Sequence, residues 1–70
     1  MDQPMNQAGR FAIKGELSGT VNHVDAWSTE ADAIDTAEAV YGYDRVFVID
    51  THAGGAVVWD SADLKRAAAK

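Results

Sequence analysis

One segment of the chain, residues 28–41, carries the 3.6-residue periodicity of an amphipathic helix and separates two β-rich parts. Ser28 or Thr29 can serve as the N-cap, and Thr29 followed by Asp32 resembles a capping box with Asp in place of Glu or Gln. Gly42 stands where a C′ glycine ends a helix. The apolar side chains on one side of this helix are Ala33, Ile34, Ala37, Val40 and Tyr41. We therefore predict one helix that packs an apolar stripe against the rest of the chain.

Strand patterns lie before the helix. Residues 11–17 alternate between apolar and polar side chains, which predicts a half-buried strand. Gly15 interrupts this run and predicts a bulge, and the following Ser18-Gly19 pair has turn chemistry. Residues 20–27 fit either a second short strand or an extended approach to the helix.

After the helix, two β-rich runs flank the loop 51–55 and predict a β-hairpin. A five-residue loop places Phe47 opposite Trp59 and Ile49 opposite Val57. The hairpin is then apolar on both faces, and a single helix covers only one face of a small sheet. The other face must meet the tail, the last helix or a partner, and a homodimer through it is one hypothesis.

The predicted fold class is α+β, with an antiparallel three- to four-stranded sheet and one main helix packed on it, in the order β-(β)-α-β-β-(α). A chain of 70 residues forms one domain. We predict a mobile N-terminal tail over 1–9 and a single domain over 10–64. Residues 65–70 are the predicted fraying end of a short Ala-rich helix that Ser61 caps.

Negative charge is concentrated in the body of the domain. The net charge is −5, and residues 11–64 hold ten acids but only Lys14 and Arg45 as basic residues, a balance of −8. Such a surface repels nucleic acid and anionic membranes and attracts basic proteins. The absence of Cys argues for the cytosol, and no run of about 20 apolar residues predicts a membrane span.

Two short motifs pair a histidine with an acid. His23 with Asp25, and Asp50 with His52, are each half of a metal site if both side chains share one strand face. Such pairs arise easily by chance among eleven acids, so a surface histidine beside an acid is the preferred interpretation. No Cys nucleophile and no G-x-S-x-G motif is present. We predict no enzymatic activity, no metal and no cofactor; a metal-assisted enzyme built on these four residues is the third-ranked hypothesis.

The predicted helix carries acids and no Lys or Arg. Asp32, Asp35 and Glu38 project from the side opposite the apolar stripe, with successive members about 5–6 Å apart at Cβ. A solvated helix face is the simplest interpretation, but ordinary surfaces mix both signs of charge. The residues predicted to contact a partner are Asp25, Glu30, Asp32, Asp35 and Glu38. Candidate apolar anchors are Trp27, Trp59, Tyr41 and Tyr43, with core packing preferred for Trp59.

A short acidic chain with the strand FAIK at 11–14, a helix over 29–41, and a closing hairpin of RVFVI at 45–49 and AVVW at 56–59 resembles several phage-encoded anti-CRISPR proteins, notably inhibitors of type I systems. The resemblance lies in size, order of elements and acidity. It implies a non-enzymatic inhibitor in the bacterial cytoplasm that binds the basic DNA-contacting surface of a Cas subunit and blocks target DNA. The alternative is a small dimeric structural or regulatory module, such as an antitoxin-like protein or an accessory subunit.

Overall fold

The computed structural model describes residues 9–62, which form a four-stranded antiparallel sheet with one helix packed on it. The elements in chain order are β1 (Phe11–Leu17), β2 (Thr20–Trp27), α1 (Glu30–Glu38), β3 (Arg45–Asp50), a short 3₁₀ helix (Thr51–Ala53) and β4 (Ala56–Asp60). Their order across the sheet is β2-β1-β3-β4, so two hairpins lie side by side with β1 and β3 in the centre. The predicted α+β class is confirmed, and residues 20–27 do form a strand.

The first hairpin closes through the predicted two-residue turn. Ser18 has a φ of 54° and Gly19 a φ of 82°, and Leu17 pairs with Thr20. Positive φ at both central residues is typical of a type I′ turn, whose twist matches that of the flanking strands. The Ser18 N–H also donates to Asp44 Oδ2 at 3.0 Å, which ties this turn to the loop before β3.

Helix α1 begins as predicted. The N-cap is Thr29, whose Oγ1 accepts a hydrogen bond from the Asp32 N–H at 3.2 Å. This bond satisfies one of the four N–H groups that the first turn leaves without a helical partner. Glu30 and Asp32 place negative charge in the first turn, where the helix dipole favours it.

The end of α1 differs from the prediction. The helix stops at Glu38, because the N–H groups of Ala39 and Val40 bond three residues back to the carbonyl oxygens of Thr36 and Ala37. These tighter bonds turn the chain away before Tyr41, which is 90% exposed. Placing Tyr41 on the buried stripe was therefore wrong. Gly42 has a φ of 94°, but it serves the loop beyond the helix and not the C′ position.

The core lies between α1 and one face of the sheet. Phe11 and Ile13 of β1 and Val46 and Val48 of β3 pack against Ala33 and Ala37 of the helix. Small alanine side chains let the helix come close to the sheet. Full burial of a Val, Ile or Phe side chain contributes about 1.5–3 kcal/mol each, so these four strand residues dominate the hydrophobic stabilisation.

The second hairpin contains the predicted five-residue loop, but its outer half has a shifted register. Ile49 pairs with Val57 as predicted, whereas Trp59 pairs with Val48 and not with Phe47. A bulge in β4 inserts one residue between these two pairs, so the side chain of Trp59 moves to the helix side of the sheet. Phe47 remains on the opposite face.

Gly15 does not mark a bulge, which corrects the prediction. It pairs regularly with Asn22 of β2 and Val46 of β3, and the ring of Tyr43 lies over it. The register shift in the first hairpin falls earlier, between Ile13 and Lys14, where β2 contributes the extra residue.

The predicted tail over 1–9 and last helix over 61–70, with its fraying end at 65–70, fall outside the described residues except at Gly9, Ser61 and Ala62. At the start of this segment, Ser61 Oγ accepts a hydrogen bond from the Val46 N–H at 2.9 Å. Asp60 Oδ1 accepts one from the Ala62 N–H, also at 2.9 Å. The groups that a Ser61 cap would bind lie outside the described residues. Within residues 9–62, no helix combines the length and apolar character that crossing a bilayer requires.

Candidate protein-binding surface

Residues 9–62 carry nine acidic but only three basic side chains, and the basic ones all belong to the sheet side of the fold. Arg10 precedes β1, Lys14 lies in β1 and Arg45 begins β3. Each of them contacts residues of the sheet. The choice of carboxylates that these three cations bind decides which acids form ion pairs.

Arg10 forms a two-bond ion pair with Asp50. Arg10 Nε donates to Asp50 Oδ1, and Nη2 donates to Oδ2, both at 3.0 Å. The His52 N–H also donates to Asp50 Oδ1 at 2.9 Å. The hydrogen bonds from Arg10, assisted by that from His52, lower the pKa of Asp50, although burial of this carboxylate opposes the shift. The pair links the start of β1 to the end of β3.

Arg45 occupies the sheet face that α1 leaves uncovered. Its Nε donates to Asp60 Oδ1 at 3.0 Å, and its Nη1 lies 3.8 Å from Glu16 Oε1. The guanidinium also lies 4.7 Å above the ring of Phe47. On the same face, Lys14 Nζ is 3.5 Å from a ring nitrogen of a histidine in β2. Charges of both signs are therefore interspersed on this face.

The five acids predicted as partner contacts are all exposed: Asp25, Glu30, Asp32, Asp35 and Glu38. Within the described part of the chain, none of them forms an ion pair within 4.0 Å. The hydrogen bonds to Asp50 are the main cause of the raised pKa of Arg10, and the nearby carboxylate of Glu30 adds to it. The structure thus separates acids that are ion-paired with Arg10 or Arg45 from five exposed acids that form no ion pair within residues 9–62.

Three of these five acids form one surface, which we call the acidic helix face: Asp32, Asp35 and Glu38. With about 100° of rotation per residue, Asp35 is at its centre and the other two lie about 60° to either side. The buried residues Ala33 and Ala37 are on the opposite side of the helix. Glu30 at the first turn and Asp25 on β2 lie apart from this face.

The two histidine–acid motifs do not present paired ligands. The bulge in β2 places His23 opposite Lys14 on the uncovered sheet face, while Asp25 pairs with Ile13 on the helix side. The carboxylate of Asp50 is already bound by Arg10. Among residues 9–62, no group of three or more His, Asp or Glu side chains is arranged to hold a metal ion.

A groove of about 550 Å³ opens at the C-terminal end of α1, next to the acidic helix face. Its apolar lining includes Ala37, Val40 and Val46, and its aromatic lining is Tyr41, Tyr43 and Trp59. Glu38, Asp44 and Ser61 supply its polar groups. These three aromatic residues were predicted from the sequence as candidate anchors, but no sequence pattern indicated that they line one groove. Trp27, the fourth candidate anchor, does not line it.

Comparison of the chain with protein-family models, with curated protein sequences and with solved structures gives no match.

Proposed function

We propose that this protein is a non-enzymatic binding module whose acidic helix face occupies a basic, nucleic-acid-binding surface on another protein. The observation that supports this proposal is the separation of charge. Arg10 and Arg45 neutralise acids of the sheet, whereas Asp32, Asp35 and Glu38 are exposed and form no ion pair with residues 9–62. A cationic partner that approaches the acidic helix face therefore meets negative charges only.

Electrostatic attraction between these surfaces should raise the association rate more than it raises the stability of the final complex. Complementary charge raises association rates well above the about 10⁵–10⁶ M⁻¹s⁻¹ of neutral pairs. Exposed charges are screened beyond about 8 Å at physiological ionic strength, so the attraction acts mainly as the surfaces approach each other.

The resemblance to anti-CRISPR proteins gives the proposal its specific form. In this form, the partner is the DNA-contacting surface of a type I CRISPR RNA-guided surveillance complex in the bacterial cytoplasm, and the bound inhibitor blocks target DNA. Carboxylates spaced about 5–6 Å apart along a helix match basic side chains that otherwise contact successive phosphates.

The direct test reverses the charge of the acidic helix face. The triple variant Asp32→Lys, Asp35→Lys, Glu38→Lys should lose the ability to prevent target DNA binding by a purified type I surveillance complex. The neutral variant Asp32→Asn, Asp35→Asn, Glu38→Gln should retain partial inhibition, because it removes attraction without adding repulsion. Circular dichroism of both variants controls for the fold. Full inhibition by the charge-reversed protein would reject the proposal.

A second candidate function is a small dimeric structural or regulatory module, and the uncovered sheet face favours it. One row of apolar side chains crosses all four strands on that face: Ala26, Ala12, Ile49 and Val57. Four strands about 4.8 Å apart and about 20 Å long give the whole sheet face an area of roughly 400 Å², whereas stable interfaces bury about 800 Å² per partner. We therefore prefer the first candidate. A stable dimer in sedimentation equilibrium, with no affinity for basic nucleic-acid-binding proteins, would favour the second.

A further inference from the structure

We propose that the groove at the C-terminal end of α1 binds an arginine side chain carried by a basic segment of the partner protein. This inference rests on the proposed function, since it takes the partner surface to be basic. It adds a specific anchor to the general attraction of the acidic helix face.

The residues that line the groove suit a side chain with an apolar stem and a flat, charged end. Its volume of about 550 Å³ falls within the range of about 300–1,000 Å³ that small-molecule and cofactor sites occupy. Ala37, Val40 and Val46 offer apolar surface to the methylene stem of an arginine. The partly buried Trp59 contacts the core, so that side of the groove is formed before a ligand enters.

Aromatic rings supply the first favourable contact with a guanidinium group. Tyr41, Tyr43 and Trp59 line the groove, and Tyr41 is 90% exposed to solvent. Cations are attracted to the faces of aromatic rings, most strongly for Trp. The protein already contains this type of contact, since the guanidinium of Arg45 lies 4.7 Å above the ring of Phe47.

Negative charge at the same place supplies the second contact. Glu38 is exposed at the groove, forms no ion pair with residues 9–62, and ends the helix. The last turn of α1 holds no basic residue, so the negative end of the helix dipole adds to the attraction of a cation. Arginine suits this combination better than lysine, because its planar guanidinium stacks on rings and can donate two parallel hydrogen bonds to one carboxylate.

The test uses Trp59 as a fluorescent reporter. The chain has two Trp residues, and Trp27 does not line the groove, so Trp27→Phe leaves Trp59 as the single emitter. This variant is titrated with a blocked hexapeptide that has one central Arg among Gly and Ser, and with the same peptide carrying neutral citrulline. We expect a saturable change in Trp59 emission with the arginine peptide and binding at least about tenfold weaker with citrulline. Equal responses to both peptides would overturn the proposal.

Single substitutions locate the binding. Tyr41→Ala removes an aromatic ring from the groove, and Glu38→Gln removes a carboxylate. Each should weaken binding of the arginine peptide about fivefold. Glu16→Gln is the matched control, because it removes one negative charge outside both the groove and the acidic helix face, beside Arg45. It should leave peptide affinity unchanged within about twofold. Equal weakening of peptide binding by Glu38→Gln and Glu16→Gln would show that only the net charge matters and would overturn the proposal.

Two further outcomes separate this inference from its premise. If the peptide does not bind while the charge-reversed triple variant loses inhibition, the groove assignment is wrong and the proposed function stands. The chain also has its own cations in Lys65 and Arg66. If Lys65→Gln with Arg66→Gln changes Trp59 emission and the peptide does not, the chain itself occupies the groove and the proposal is wrong. Peptide binding unaffected by these two substitutions supports it.

Discussion

The ring of Tyr43 lies directly over the backbone of Gly15, at the end of the core next to the proposed arginine groove. A Cβ built on Gly15 would be 2.5 Å from Tyr43 Cδ1 and 2.6 Å from Tyr43 Cγ, distances that no real contact between carbon atoms reaches. Tyr43 also lines the groove. Because Gly15 in the central strand β1 has no side chain, the Tyr43 ring can lie over it and line the groove.

Gly15→Ala should lower the free energy of unfolding by about 1–3 kcal/mol, since the added methyl group overpacks the site. The clashing atoms include Tyr43 Cγ, which is close to the backbone and cannot move aside by a simple rotation of the ring. Chemical denaturation with a Gly9→Ala control measures the effect. At Gly9 the nearest neighbour of an added Cβ would be Ala26 Cβ at 3.8 Å, an ordinary contact.

The same contact predicts a strong coupling between the two positions. In a Tyr43→Ala background, Gly15→Ala should cost less than about 0.5 kcal/mol, because the three atoms nearest to the added methyl group all belong to the Tyr43 ring. A double-mutant cycle measures this difference. Equal costs in both backgrounds would show that the ring does not restrict position 15.

The ion pair between Arg10 and Asp50 should make the free energy of unfolding depend on pH. Hydrogen bonds from Arg10 lower the pKa of Asp50 from its ordinary value of 3.8 in the folded state. The pair therefore stabilises the fold above the unfolded-state pKa, and this contribution disappears as the pH falls through the lower folded-state value. Arg10→Gln should be less stable than the natural protein at pH 7 and similar to it once Asp50 is protonated. Lys14→Gln removes the same charge without touching Asp50 and should show no such convergence at low pH.

Thr29→Ala should destabilise the protein by about 1 kcal/mol through loss of the N-cap hydrogen bond to the Asp32 N–H. The neighbouring Ser28→Ala is the matched control, because Thr29 and not Ser28 caps the helix. Thermal unfolding of a domain this small should separate the two variants by about 4–8 °C. Equal melting temperatures would place the cap elsewhere.

Association with the proposed basic partner should slow as salt rises, and the slope should depend on which acid is neutralised. Asp35→Asn and Glu16→Gln change the net charge by the same amount, but Glu16 lies near Arg45 on the uncovered sheet face. Stopped-flow measurement of the association rate should give a shallower salt dependence for Asp35→Asn than for Glu16→Gln. Equal slopes would mean that net charge, and not the acidic helix face, governs the encounter.

Local patterns were sufficient to predict most of the elements. The alternation over 11–17, the Thr29 cap and the five-residue loop at 51–55 are each decided by residues close in sequence, and each was confirmed. The exposure of Asp32, Asp35 and Glu38 on the side of the helix opposite its buried residues also followed from the helical spacing. Whether they contact a partner remains a prediction.

Features that depend on contacts between distant residues were missed. The bulge in β4 adds one residue within a continuous apolar run, so no break in alternation reveals that Trp59 changes face. Tyr41 continues the helical spacing, but the chain leaves the helix before reaching it. Gly15 looked like a local irregularity because the ring that requires it is Tyr43, beyond the next strand and the helix. The three aromatic residues in these regions, Trp59, Tyr41 and Tyr43, line the groove, so the sequence did not predict it.

Both interruptions of the sheet register fall in the outer strands, with the additional residue in β2 in one hairpin and in β4 in the other, while the central pairing of β1 with β3 is continuous. An outer strand with a local bend offers a poor template for a straight strand from another molecule. The two irregular outer strands should therefore resist the strand-to-strand pairing by which fibrils grow.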